Sequence, residues 1–165
     1  MVSTQPHSPH HHAHGEACGH GHPPREVMAV AEKRCAERHL RLTPIRRETL
    51  SHLASSTRPL GAYELIELMG VAGKRPAPIT VYRALEFLLG AGLIHRIESR
   101  NAYMACAHAH EGDDPVVFMI CDACGCVTEA SSDALSRNLE GLARNAGFRP
   151  TSRVVELFGA CSHCV

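Results

Sequence analysis

The amino-acid sequence predicts an α+β fold in two parts, and three observations carry the prediction. Residues 26–91 contain four stretches whose apolar side chains recur at helical spacing, and an alternating stretch broken by a polar turn follows them. From residue 116 the pattern becomes strand, strand, helix, strand within about fifty residues, a unit small enough to need a staple. Two Cys-x-x-Cys units, Cys121 to Cys124 and Cys161 to Cys164, bracket that second part with 36 residues between them.

Composition narrows the class of protein. Of 165 residues 44 % are apolar, as in an ordinary globular chain, but only 4 % are aromatic and tryptophan is absent. Small cores built from Leu, Val, Ile and Ala gain most from a bound metal. No apolar run approaches eighteen residues and no secretory leader pattern is present, which points to the cytoplasm. In that compartment eight cysteines fit metal ligation better than disulfides. The formal net charge is zero but uneven: residues 25–103 carry 13 Lys and Arg against 8 Asp and Glu, and residues 104–165 carry 4 against 8. A basic half suits an anion such as nucleic acid, although an imbalance this modest decides little alone.

Residues 1–24 hold seven of the thirteen histidines, His7, His10, His11, His12, His14, His20 and His22, with Cys18 among them. Pro, Gly and Ser fill the gaps, which predicts a disordered His-rich tail. Its imidazoles suit loose capture of Zn²⁺ or Ni²⁺; the alternative is an inert tail.

Residues 25–104 read as one domain. A helix over 26–39 has Val27, Val30, Ala31 and Cys35 on one face, and Cys35 reads as a small core residue. Thr43-Pro44 marks the N-cap and first position of a second helix with Ile45, Thr49, Leu50 and Leu53 inward. Arg46 and Arg47 near its start can reach phosphates or simply face solvent. Residues 55–59 form a loop, 62–70 a short helix stopped by glycine, and 73–78 another loop. A fourth helix over 79–91 buries Val81, Ala84, Leu85 and Leu88 and projects Tyr82, Arg83 and Glu86, with Thr80 at its N-terminal edge. Such a helix suits the major groove of DNA. A hairpin over residues 93–98 and 103–105 completes the order of a winged helix-turn-helix; an unrelated small α+β domain is the alternative.

Residues 105–116 form a polar, acidic hinge, and 117–165 a second domain. The strand over 116–120 runs into Cys121, a second strand covers 127–129, and Ser131 or Ser132 caps a helix reaching residue 146 with Leu135, Leu139 and Leu142 on one face. A third strand over 153–158 leads to the second cysteine pair. Cys121, Cys124, Cys161 and Cys164 together offer four thiolates, the donor set structural zinc prefers, and Gly125 allows the tight turn of a knuckle. The result is a small zinc-clipped α/β (β-β-α-β) unit whose sheet edge and amphipathic helix suit dimerisation. A redox role for Cys121 and Cys124 fits poorly, because Gly125-Cys126 follows the pair in place of a helix that would depress a thiol pKa; no enzyme activity is expected.

A second set of donors flanks the hinge: His95, His108 and His110, with Cys106 among them, Glu129 beyond the first knuckle, and Glu111, Asp113 and Asp114 nearby. A mixed N/S/O site drawn from both parts is complete in only one relative orientation, so metal binding selects that orientation. The plainer alternative is a group of polar surface residues.

Residues 41–47 (Arg-Leu-Thr-Pro-Ile-Arg-Arg), 80–88 (Thr-Val-Tyr-Arg-Ala-Leu-Glu-Phe-Leu) and 121–125 (Cys-Asp-Ala-Cys-Gly), with the C-terminal Cys-x-x-Cys, resemble the ferric uptake regulator family. The likeness covers residues 25–165 and leaves the His-rich tail outside. It implies a homodimeric, metal-dependent transcriptional repressor with a winged helix hinged to a zinc-clipped dimerisation domain. Iron regulators of the family carry a His-His-x-His-like run just before the first cysteine pair, where this chain reads Val116-Val-Phe-Met-Ile120. The pattern His95-Arg-Ile-Glu98, Cys106 and Glu129 looks instead like the zinc uptake regulator branch.

That resemblance implies one structural and one regulatory Zn²⁺ per chain. The regulatory ligands it implies are His95, Cys106, Glu129 and a hinge histidine. His110 is the favoured fourth ligand, with His108 and Asp114 as rivals. It further implies that the zinc-loaded homodimer binds double-stranded operator DNA through Thr80, Tyr82 and Arg83, supported by Arg46 and Arg47, and represses zinc-uptake genes. The alternatives are a relative sensing iron, manganese, nickel or peroxide, or a zinc-storage or metallochaperone protein that works through its tail.

Overall fold

The computed structural model describes residues 23–70, 75–106, 116–151 and 153–165. Residues 1–22 of the expected tail, most of the hinge with His108, His110, Glu111, Asp113 and Asp114, and part of the loop after the third helix lie outside the described residues, while Pro23 and Pro24, expected in the tail, are the N-cap and first residue of the first helix.

Four helices come first: α1 (Pro24–Glu37), α2 (Pro44–Ala54), α3 (Ala62–Leu68) and α4 (Pro78–Gly90). Prolines open α1, α2 and α4, where a fixed φ favours the helix and the missing N–H loses no intrahelical bond. Thr43 stands at the N-cap of α2 as the sequence predicts, but its hydroxyl makes no capping hydrogen bond. At α3 the cap is a carboxylate: Glu64 accepts from the Gly61 N–H at 2.8 Å and from Arg58 at 2.6 Å.

The predicted hairpin is present as β2 (Ile94–Ile97) and β3 (Ala102–Ala105). A 3-10 turn over Glu98–Arg100 and a left-handed Asn101 (φ 46°) connect them. A strand too short to read from the sequence, β1 (Leu60–Gly61), pairs with β3 to give a three-stranded antiparallel sheet of order β1-β3-β2. Helices followed by this sheet make a winged helix-turn-helix.

Its core is aliphatic. Leu50, Leu65, Val81, Leu85, Leu88 and Ile94 are all but sealed from solvent, and burying each such side chain contributes about 1.5–3 kcal/mol. The α4 stripe is buried as predicted, at Val81, Ala84, Leu85 and Leu88. On α1 the buried face is Val27, Ala31 and Cys35 together with Arg34, whereas Val30 is only half-buried. Arg34 donates to the carbonyl of Gly92, a left-handed residue (φ 66°) just past α4, so α1 grips the entry to the wing. Burial pushes the Cys35 thiol pKa up against the nearby Arg46, Arg34 and Arg47 charges, consistent with a packed core residue.

The second part is β4 (Val116–Cys121), β5 (Val127–Ser131), α5 (Asp133–Asn145) and β6 (Val155–Gly159). The sheet order is β5-β4-β6, with β4 antiparallel to β5 and parallel to β6. Ser132 is the cap of α5, accepting from the Leu135 N–H at 3.4 Å, and Gly147 (φ 64°) ends it. The predicted apolar face of α5 is only partly covered by its own chain: Leu135 and Leu139 are half-buried and Leu142 is 67 % exposed.

The two parts share a second core. Ile97 of the wing packs with Phe118, Ile120 and Val127 of the second sheet, flanked by Met104 and Val116. Ile97 and Ile120 are essentially inaccessible to water, so the wing and the second sheet meet through an apolar contact.

Candidate metal centres

Parallel pairing of β4 with β6 builds the first centre. Cys121 lies opposite Gly159 in register, and Asp122 N–H donates to the Gly159 carbonyl at 2.8 Å. The chain ends thus leave the sheet side by side, one into the turn bearing Cys124 and the other into the turn bearing Cys161 and Cys164. Both turns close on backbone bonds of 2.9 Å, Gly125 N–H to Cys121 O and Cys164 N–H to Cys161 O, and Gly125 takes φ 74° as its turn requires.

The four sulfurs lie within 4.8 Å of one another. Cys124 Sγ and Cys161 Sγ are 3.9 Å apart, far beyond a disulfide and close to the edge of about 3.8 Å expected for a tetrahedron of thiolates around zinc. Backbone N–H groups of Cys124 and Cys161 hold the Cys121 thiol pKa down at about 6, the latter across 3.4 Å to Sγ. The neighbouring sulfurs of Cys161 and Cys124 push Cys164 up to about 12. Four thiols so close cannot all ionise without a cation among them, and the donor set fits Zn²⁺. Cys126 is buried beside the knuckle but is not one of the four.

The second centre is assembled from three strands. His95 sits in β2. Cys106 follows β3, its N–H bonded to Leu93 O at 2.9 Å. Glu129 comes from β5 of the other sheet. Their donor atoms also lie within 4.8 Å of one another. His95 Nε2 is 3.3 Å from Glu129 Oε1, and the two side chains are only 19 % and 7 % exposed. The Phe118 ring backs the imidazole, with centroids 5.2 Å apart and planes tilted by 58°.

Burial alone would lower the His95 pKa, but the Cys106 thiol and the Glu129 carboxylate outweigh it and raise it to about 9. A pocket that favours positive charge this strongly, lined by imidazole, thiol and carboxylate, fits a divalent transition metal. The residue types were legible in the sequence; their convergence needed the hairpin register and the contact between sheets.

Thr80, Tyr82 and Arg83 are exposed together on α4. Arg46 and Arg47 have partners inside the chain. The Arg46 guanidinium lies 3.4 Å from the Phe87 ring centroid and donates to Arg41 O at 2.7 Å, while Arg47 pairs with Glu32 of α1. Sequence reasoning missed Phe118, Glu156 and Ile97, which carry no recognisable motif and matter only through their neighbours.

A winged helix-turn-helix carrying a His/Cys/Glu cluster at its junction with a four-cysteine α/β unit defines a class of metal-dependent regulator. Residues 37–158 match the model of the ferric uptake regulator family, and the chain belongs to that family. It is 40 % identical over 144 residues to the zinc uptake regulation protein of Escherichia coli (strain K12), covering 86 % of this chain and 82 % of that one.

Among solved structures it is similar to a zinc uptake regulator complexed with zinc and DNA, with TM-score 0.80 and 37 % identity over 86 % of this chain and 95 % of that one. Holo XcZur gives TM-score 0.77 at 41 % identity, covering 85 % of this chain and 96 % of that one. Apo XcZur gives 0.51 at 39 % identity, covering 86 % and 97 %. At near-equal identity, the arrangement described here resembles the holo form more than the apo form.

Proposed function

We propose that this chain is a zinc-responsive transcriptional repressor of the cytoplasm, binding operator DNA as a homodimer and repressing zinc-uptake genes. It is a regulator and not an enzyme. The observation that carries this reading is the convergence of His95, Cys106 and Glu129 from two sheets that belong to different parts of the chain. The likeness to a regulator complexed with zinc and DNA supports it. Among the described residues no helix is long and apolar enough to cross a membrane.

The division of labour follows residues 25–104 as the DNA-binding domain, 105–116 as hinge and 117–165 as dimerisation domain, with 1–24 outside this scheme. Cys121, Cys124, Cys161 and Cys164 hold a permanent structural zinc that ties β4 to β6. His95, Cys106 and Glu129, with His110 as fourth donor and His108 or Asp114 as rivals, form the regulatory site, giving one structural and one regulatory ion per chain. Zn²⁺ bound there supplies the charge that holds imidazole, thiolate and carboxylate together. Because His95 rides on the wing and Glu129 on the second sheet, the ligands can all converge in only one orientation of the two parts.

That orientation sets the distance between the two α4 helices of the dimer, and with it the match to a palindromic operator. Thr80, Tyr82 and Arg83 make the groove contacts, with Arg46 and Arg47 at the phosphates. The dimer face is the apolar surface left open by a single chain, including Leu142 of α5 and Leu157 of β6, which are 67 % and 53 % exposed.

The test is operator binding against free metal, using a duplex selected from a random pool in the presence of zinc. Zn²⁺ is expected to raise affinity at least about a hundredfold, which corresponds to about 2.7 kcal/mol of coupling. A response to Fe²⁺, Mn²⁺ or Ni²⁺ with none to Zn²⁺ would overturn the assignment of the signal. Cys106→Ser should remain a folded dimer that retains one chelator-resistant zinc and no longer responds, whereas Cys124→Ser should lose the dimer itself. Identical behaviour of the two variants would sink the division into structural and regulatory sites.

A further inference from the structure

One row of side chains crosses the second sheet beneath the wing. Phe118 of β4 pairs with Glu129 of β5 on one side and with Glu156 of β6 on the other. Residues in register across a sheet present their side chains to the same face. The centre of this row packs against Ile97 and the His95 ring. Its Glu129 end belongs to the His95 and Cys106 cluster.

The Glu156 end also reaches the wing, but by a different chemistry. Glu156 Oε1 accepts from the Glu98 N–H at 2.7 Å, and Oε2 accepts from the Ser99 N–H at 3.3 Å. These are the first two amides of the 3-10 turn over Glu98–Arg100. Amides in that position have no partner within their own turn and need an outside acceptor. A carboxylate that meets two of them at once makes charge-assisted, direction-specific bonds. From the same turn, Arg100 extends back to the Cys121 carbonyl at 3.5 Å and to Asp122 at 4.0 Å. Gly125 leaves room for it, since a Cβ there would stand 3.3 Å from Arg100 Nη1. The wing turn is therefore held at two places, by Glu156 of β6 and, through Arg100, by the end of β4 beside the four-cysteine knuckle.

We infer that Glu156 is a positioning residue, the metal-independent half of a two-ended latch whose other half is the regulatory site at Glu129. It rests on the regulatory reading of His95, Cys106 and Glu129 proposed above. The carboxylate of Glu156 needs only backbone amides to engage, so it favours the closed orientation whether or not the regulatory site is filled. Affinity at a site that exists only in the closed orientation scales with the population of that orientation. Glu156 thereby sets the zinc concentration at which the protein switches, without touching zinc or DNA.

The experiment is a zinc titration of the full-length dimer against a chromophoric chelator, with wild type, Glu156→Ala and Glu156→Gln run in parallel. Operator affinity is then measured at saturating zinc. Glu156→Ala is expected to weaken the labile zinc by about tenfold, and Glu156→Gln, which keeps one acceptor oxygen, by about threefold. Chelator-resistant zinc, dimerisation and operator affinity at saturating zinc should stay within about twofold of wild type, because excess metal restores the closed population. A shifted midpoint with an unchanged plateau is a signature that a merely structural role would not produce. Labile-zinc affinities within about twofold of wild type in both variants would overturn the inference. So would loss of the resistant zinc or of the dimer in both, since Glu156 would then be a folding residue. A wild type without labile zinc would instead overturn the regulatory reading itself.

Discussion

His95 and Glu129 face each other across the boundary between the winged helix and the second sheet, Nε2 to Oε1 at 3.3 Å. Each is held by its own strand, so the distance between them measures the relative placement of the two parts. Phe118, in register with Glu129 and packed on the His95 ring, makes that placement an apolar contact as well as a polar one.

The pH dependence of the proposed regulatory site follows from that pair. Burial disfavours charge on His95, but Cys106 and Glu129 prevail and raise its pKa from 6.5 to about 9. In the metal-free chain a raised pKa contributes stability that is fully present below pH 6.5 and is lost as pH rises through about 9. A metal ion must displace that proton as well as the thiol proton of Cys106. Apparent zinc affinity is expected to rise by more than tenfold per pH unit, towards about a hundredfold, between roughly pH 6 and 8, measured by chelator competition. A rise of only about tenfold per unit would remove His95 from the ligand set.

Ile97 tests the apolar part of the boundary. Ile97→Ala empties a position sealed among Phe118, Ile120 and Val127, and is expected to cost about 2–4 kcal/mol in urea unfolding. Zinc at the four cysteines should survive, because none of them packs through Ile97.

On α4, Arg83 is exposed beside Tyr82 with its helix anchored by the buried stripe. Arg83→Ala should leave thermal stability within about 0.5 kcal/mol of wild type. Losing a phosphate contact should lower the slope of log affinity against log salt by about 0.9; a base contact would instead change sequence preference. An unchanged slope together with unchanged preference would exclude Arg83 from the interface.

The dimer face is tested at Leu142 and Leu157, both more than half exposed on a single chain. Leu142→Glu and Leu157→Glu should each weaken dimerisation by about ten- to a hundredfold, the scale of one buried leucine. Sedimentation equilibrium across a dilution series would show it. Dimers of undiminished affinity in both variants would place the partner surface elsewhere.

Much of the fold was legible because its signals are local. The α4 stripe, the prolines that open α1, α2 and α4, the glycines after α4 and α5, and the cysteine spacing each depend on a few neighbouring residues. The strand β1 was not legible: two residues, Leu60 and Gly61, have no periodicity, and only β3 makes them a strand. Arg46 and Arg47 read as phosphate contacts or solvated charges, and their contacts with Phe87 and Glu32 on other helices were not legible. Leu142 read only as part of the apolar face of an amphipathic helix, because periodicity reports such a face without saying which chain covers it.

The sequence by itself determined the residue types of both candidate metal centres and the family, since thiolate, imidazole and carboxylate spacing and the helix motif are written in the chain order. Only the tertiary structure decided which donors meet. The parallel pairing of β4 with β6 places the two cysteine pairs together. The packing of Ile97 on Phe118 brings His95 and Cys106 to Glu129, and the wing turn to Glu156. Those contacts join residues from separate elements, and sequence spacing carries no information about distances set by the packing of one sheet on another.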